Sequence, residues 1–105
     1  MIYKIFRHKE VEQDLFDIIN LLLEYAGFDV TEKKISEIEA SIKNLAHTPH
    51  IGTIRDDILP NLRAIPTARK GVITFSVDDD KKEVFIISIT YAGADWIAKT
   101  PHRLK

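Results

Sequence analysis

The feature that most constrains this chain is a hydrophobic period that changes twice. The opening "MIYKIFR" alternates in twos, with Ile2, Lys4 and Phe6 on one side and Tyr3, Ile5 and Arg7 on the other. That pattern, rich in β-branched and aromatic residues, predicts a first strand. From Lys9 the period lengthens. Val11, Leu15, Ile18, Ile19, Leu22, Leu23 and Ala26 recur at helical spacing, with Glu10, Glu12, Asp14 and Asp17 crowding the first turns. Acid there suits the positive end of a helix dipole. Gly27 supplies a left-handed stop. Asp29 followed by Glu32 resembles a capping box for a second helix, whose stripe is Ile35, Ile38, Ile42 and Leu45. Pro49, in "HTPHIG", ends that ladder. So short a connection implies two antiparallel neighbouring helices.

The second half returns to a period of two. "LRAIPT" is a short strand that Pro66 assigns to a sheet edge or a bulge. "GVITFSV" sets Ile73, Phe75 and Val77 against Val72, Thr74 and Ser76, and "VDDDKKEV" is a polar turn. "VFIISIT" is almost wholly apolar, which predicts a central strand covered on both faces. The tail "YAGADWIAKTPHRLK" reads equally as a short helix or as irregular chain. The order is β-α-α-β-β-β. It implies an α+β fold with an antiparallel helical hairpin on one face of a small antiparallel sheet. The chain's 105 residues, without repeat or linker, make residues 1–105 one domain.

No apolar run nears the ~20 residues that span a bilayer. The start lacks the apolar stretch and cleavage site of a signal peptide. There is no cysteine, which excludes disulfides and thiolate chemistry and fits a reducing cytoplasm. The net charge of −1 hides an asymmetry. Residues 1–60 hold seven Lys or Arg against eleven Asp or Glu, whereas residues 61–105 hold eight against five. A basic second half favours an anionic or acidic partner there, or is simply a solvated face.

Most chemistry-bearing motifs are missing. There is no glycine-rich phosphate loop, nucleophile elbow or zinc-type Cys/His spacing, so no cofactor or metal is implied. His47 and His50 flank Pro49 and share no helix face, so a structural loop explains them better than a metal. "DDDKK" could hold a hard cation, but Asp is a preferred turn residue and a solvated turn suffices. Glu10, Asp14 and Asp17 could mimic a catalytic carboxylate pair, but dipole complementarity explains them without chemistry.

What remains is a cationic hairpin, Arg63, Arg69 and Lys70, and two aromatics, Tyr91 and Trp96, flanking "AGAD". On a sheet face left open by the helices these could meet as a surface for nucleic acid or an acidic peptide. The competing reading puts both aromatics in the core and the cations on the surface.

Taken together and in order, these residues resemble the RelE/ParE superfamily of bacterial type II toxins over nearly the whole chain. "HKEVEQDLFDI" is similar to the family's first helix, with its Asp-Leu pair. "LAHTPHIG" is similar to its exit from the second helix. "LPNLRAIPTARKGVITFSVDDDKKEVFIISITYAG" is similar to its hairpin and central strand. The resemblance implies a cytoplasmic toxin wrapped by a cognate antitoxin. The acidic half would suit basic antitoxin residues, and the cationic hairpin acidic ones. Within the family, RelE-like members cut messenger RNA on the ribosome and ParE-like members inhibit DNA gyrase. Here Val72 stands where many members carry Arg, and Phe75 where a Tyr is common. Tyr91-Ala92-Gly93-Ala94 replaces a His followed by basic residues. Phe75 cannot ionise, Ala92 and Ala94 cannot hold phosphate, and Tyr91 is a poor base at neutral pH. The resemblance therefore implies a ParE-like gyrase inhibitor, with Arg63, Arg69, Lys70, Tyr91, Trp96 and Arg103 as target-binding residues and Lys99 adding charge. Its alternatives are a ribosome-dependent endonuclease using Arg63, Arg69, Lys70 and Tyr91, or a non-toxic binding module in a repressor complex. Only the endonuclease would be an enzyme.

Overall fold

A computed structural model describes residues 2–103. Met1, at the head of the expected first strand, and Leu104 and Lys105, at the end of the tail, lie outside the described residues. The elements are β1 (Lys4–Arg7), α1 (Val11–Ala26), α2 (Phe28–Asn44), β2 (Thr53–Ile54), β3 (Arg63–Thr67), β4 (Gly71–Asp78), β5 (Glu83–Tyr91) and α3 (Trp96–Arg103). The expected order is therefore the observed one, with the tail resolved as a helix. A two-residue strand, β2, is added in the loop after α2.

Gly27 alone separates α1 from α2, and its φ of 83° is the left-handed conformation that lets the chain reverse in one residue. The expected capping box is not made. No side chain caps α2, and Asp29 lies inside its first turn. Thr31 instead donates its hydroxyl to the Gly27 carbonyl at 2.7 Å.

The sheet runs β1-β5-β4-β3-β2. The hairpin strands pair antiparallel as expected, but β1 lies parallel to β5, so the sheet is mixed. Pro66 sits on β3, which pairs with β4 on one side and with β2 only at Ala64 and Arg63 on the other. A missing N–H at Pro66 therefore costs no ladder bond on the open side. β5 is interior, as its apolar run foretold. A register shift where Thr74 pairs Ser88 but Phe75 pairs Ile86 leaves Ile87 as an extra residue. This bulge moves the inward set from Val84 and Ile86 to Ile89 and Tyr91, so the strand reads as continuously apolar.

The core lies between the helices and the sheet. Val11, Ile18 and Leu22 of α1 and Ile38 and Ile42 of α2 meet Ile73, Phe75, Val84, Ile86 and Ile89. The other sheet face is partly covered. α3 crosses part of it and buries a hydroxyl cluster in which Thr74 and Ser88 are 2.6 Å apart and Thr100 lies 3.3 Å from Ser88.

What seats α3 is a charge cluster at the edge of β5. β1 is short, and its pairing ends with His8 N–H donating to the Ile86 carbonyl. Beyond that point β5 has no neighbouring strand on this side. Ile89 N–H donates to Asp14 Oδ2 at 3.0 Å, and Arg103 donates to the Ile87 carbonyl at 2.9 Å. Arg103 also grips both Asp14 oxygens at 2.6 Å, and Lys99 donates to Oδ1 at 2.7 Å. Asp14 is therefore not a surface partner of the helix dipole but a buried anion surrounded by donors. Burial pushes its carboxyl up, but the bonds from Arg103, Lys99 and Ile89 outweigh this and hold it below the ordinary range.

Removing one member strands the others. Asp14→Ala is expected to destabilise the fold by about 3–5 kcal/mol, read from urea unfolding. The pH dependence has a fixed sign. A carboxyl held lower in the folded chain contributes fully above its unfolded pKa near ~3.9 and loses that contribution as pH falls below it. Wild-type stability should drop in that acid window, and Asp14→Ala should lack this part of the drop.

Candidate functional site

The cationic hairpin turns through Ala68, Arg69 and Lys70 between the paired residues Thr67 and Gly71. Gly71 is required by space, because a Cβ there would sit 2.8 Å from the Thr67 carbonyl oxygen. Ala68 and Arg69 both adopt positive φ, 49° and 72°. Neither is a residue that favours this conformation. Neighbouring elements hold the turn in place. Tyr91 donates its hydroxyl to the Ala68 carbonyl at 3.1 Å, Ala92 N–H donates to the Lys70 carbonyl at 3.1 Å, and the Ser41 and Thr67 hydroxyls are 2.8 Å apart.

So fixed, the turn forms one wall of an open groove of about 650 Å³. Leu21, Leu22, Tyr25 and Ala26 of α1, Val30 and Lys34 of α2, and Tyr91 and Ala92 line it with the turn. The floor is apolar. The rim carries Arg69, Lys70 and Lys34, and among the described residues no carboxylate lines it. Lys34 has a distant companion in Glu37, at 3.9 Å, whereas Arg69 and Lys70 have no ion-pair partner among the described residues. Tyr25 is 79% exposed beside them. An apolar trough bordered by free cations suits a segment that offers apolar side chains and carboxylates, or phosphates, together.

The expected site residues do not all meet. Arg69, Lys70 and Tyr91 come together, but Tyr91 is buried and its hydroxyl is committed to the turn. Arg63 pairs opposite Phe75 at the far end of the hairpin, four register steps from the Thr67–Gly71 pair. At ~3.3 Å per residue that is roughly 13 Å along the strand. There its guanidinium donates to the Ile51 carbonyl at 3.3 Å, near His50, Asn61 and Asp79. Trp96 begins α3 with the Arg55 guanidinium 5.2 Å above its ring, and shares a second, shallower depression with Lys70. Arg103 and Lys99 are engaged with Asp14. The expected cationic surface on an open sheet face is thus divided. Its hairpin tip faces the helices, and its C-terminal members hold α3.

His50 bonds Asp79 at 2.7 Å and His47 is exposed. Among the described residues no cluster of metal-ligating side chains forms. Asp79 accepts from both Tyr3 and His50, which holds its carboxyl below the usual range. Through Asp79 the acidic turn is tied to Tyr3, just before β1, and to His50.

The chain matches, over residues 5–96, the family described as the ParE toxin of the type II toxin–antitoxin system parDE. No curated protein matches it in sequence. Among solved structures it is similar to the chromosomal ParDE toxin–antitoxin system of P. aeruginosa, at 21% identity and TM-score 0.72, covering 87% of this chain and 97% of that one. It is also similar to a mutant of the E. coli toxin RelE in the free state, at 17% identity and TM-score 0.62, covering 99% and 98%. A third likeness is to the toxin–antitoxin complex RelBE2 of Mycobacterium tuberculosis, at 14% identity and TM-score 0.59, covering 88% and 100%. At such identities these structures share the fold.

The strain at the hairpin tip is testable by itself. Arg69→Gly should leave the melting temperature unchanged, or raise stability by up to about 1 kcal/mol, because glycine adopts the same φ freely. A lower melting temperature would show that the Arg69 side chain holds the turn.

Proposed function

This chain belongs to the family of ParE toxins of type II toxin–antitoxin systems, and we propose that it arrests growth by binding DNA gyrase and is neutralised by a cognate antitoxin. The observation that carries a binding function is the groove itself: an apolar floor with Arg69, Lys70 and Lys34 beside it and, among the described residues, no carboxylate or imidazole lining it. Phosphodiester cleavage needs a base at the ribose hydroxyl and cations converging on one phosphate. Arg63 is at the other end of the strand from Arg69, Tyr91 spends its hydroxyl on a backbone carbonyl, and Phe75 is fully buried. Binding, by contrast, needs only a shaped surface with complementary charge. Arg69 can offer a planar pair of donors to a carboxylate or phosphate, and Lys70 a mobile point charge.

The same groove suits the antitoxin. A segment with apolar side chains and carboxylates would fill the floor, pair with the rim and deny the surface to the target. Gyrase and antitoxin would then compete in the cytoplasm, where both are made. No helix among the described residues is long and apolar enough to cross a membrane.

Purified chain should inhibit gyrase supercoiling while translation in a cell-free extract continues. Arg69→Ala with Lys70→Ala is expected to weaken that inhibition by about tenfold or more, with an unchanged melting curve. Arg63→Ala should have the smaller effect. Transcripts cut at ribosome-occupied codons with supercoiling intact would instead establish the endonuclease. Normal growth on expression without any antitoxin would establish a non-toxic binding module.

A further inference from the structure

Three features that stood apart in the sequence meet at one place. "HTPH", the acidic turn "DDDKK" and Arg63 bring His50, Asp79 and a guanidinium to a single cavity of about 200 Å³, which Ile54, Asn61 and Val77 complete. It shares no lining residue with the cation-rimmed groove. The sheet builds its walls. Ile54 pairs with Arg63, and Arg63 with Phe75, so these side chains stand on one sheet face. Val77, two residues beyond Phe75, stands on the same face. A bond from Arg55 N–H to the Leu62 carbonyl, at 2.8 Å, closes the loop beside them. Ile54 is 52% exposed, an apolar wall without a cover.

The two opposite charges of this cavity do not neutralise each other. Arg63 has no ion-pair partner among the described residues, and its side chain makes one bond there, to the Ile51 carbonyl at 3.3 Å. Asp79 accepts from Tyr3 and from His50, each at 2.7 Å, and both bonds fall on Oδ1. Its Oδ2 accepts none among the described residues. Asn61 spends its backbone N–H on Asp56 at 2.7 Å and leaves its side-chain amide unbonded among them. A guanidinium and a carboxylate that line one cavity without pairing keep donors and acceptors for a third party. A lone anion entering here meets Asp79, and a lone cation meets Arg63, so each is opposed by one of the two. A molecule that carries both charges satisfies both.

We propose that this cavity binds a small zwitterion, a free amino acid with one carboxylate and one ammonium. The carboxylate lies against the planar donors of Arg63, and the ammonium against Asp79 Oδ2. The Asn61 amide has a donor and an acceptor to offer between them. Ile54 and Val77 flank the carbon chain. His50 acts as a positioning residue, because its Nε2–H fixes the carboxylate that receives the ammonium. The site is separate from the groove, and it stands whether or not the chain arrests growth. Few ligand atoms and half-exposed walls predict a Kd of about 1 mM.

Glycine, β-alanine and γ-aminobutyrate carry the same two charges at growing separation. They are titrated against the intact chain at low salt, with acetate, methylammonium and inorganic phosphate as controls, and the His50 ring resonances are followed by NMR. At least one zwitterion should shift them saturably and bind about tenfold tighter or more than every control. Arg63→Gln and Asp79→Asn, which remove one charge each, should each weaken that binding by about tenfold or more. Acetate or phosphate binding as tightly as the zwitterions overturns the proposal and leaves a plain anion site. Unweakened binding by either variant overturns it as well. So does the absence of any saturable shift at about ten times the expected Kd. Should Asp79→Asn fail the circular-dichroism check of folding, Arg63→Gln and the wild-type comparison of zwitterions with controls decide by the same outcomes.

Discussion

The fold depends on a single buried carboxylate. Asp14 sits where strand β1 stops short, and it accepts the β5 amide that a longer strand would have paired. A buried anion with only one backbone donor would be intolerable, so the chain must bring cations to it. They come from α3, more than eighty residues later, as Lys99 and Arg103. His8 then donates its Nε2–H to the Arg103 carbonyl at 3.1 Å, and Glu10 lies 3.5 Å from the Arg103 guanidinium. The link between β1 and α1 is thereby tied to the far end of the chain. With α3 held at this edge, Thr100 meets Thr74 and Ser88, and the second sheet face is partly closed.

That closure bears on where we propose recognition occurs. With α3 over the sheet and Lys99 and Arg103 engaged beneath it, Arg69 and Lys70 at the hairpin tip face the helices and have no ion-pair partner among the described residues. Arg69 stays in a left-handed conformation that glycine would adopt at no cost, next to Ala68 in the same region. A strained Arg with no ion-pair partner among the described residues makes sense as a contact for something outside the chain. Tyr91 is positioned to keep it presented: its hydroxyl fixes the Ala68 carbonyl, and its ring lies against the turn at Gly71. The Tyr91 hydroxyl thus braces the turn.

Much of the architecture was legible because it rests on period. Helical spacing through residues 11–45, alternation in β3 and β4 and the continuous run in β5 name the elements in order. The parallel pairing of β1 was not legible, because nothing local in "YKIFR" distinguishes a parallel neighbour from an antiparallel one. The cationic patch was only partly so. Sequence places Arg63, Arg69 and Lys70 on one hairpin, but a strand's rise separates its two ends, and no pattern in the tail announces that Lys99 and Arg103 turn inward. One signal was present. Asp14 lies on the buried stripe itself, three residues after Val11 and four before Ile18, where an acid has no business unless cations meet it. The groove's helical wall could have been suspected from Tyr25 and Val30, apolar residues off that stripe around the Gly27 break.

The strand order has a consequence for the birth of the molecule. Among the described residues β1 precedes every other strand, and its sheet neighbour, β5, follows all of them. Until the roughly eighty residues that separate β1 from its partner have been made, β1 and the helical hairpin have no sheet to close upon, and the acid at position 14 lacks Lys99 and Arg103. The native sheet depends on contacts between distant parts of the chain, which slows folding and prolongs exposure of apolar surface. Whatever protein recognises those helices has its earliest opportunity on the nascent polypeptide, before a finished sheet exists to compete for them.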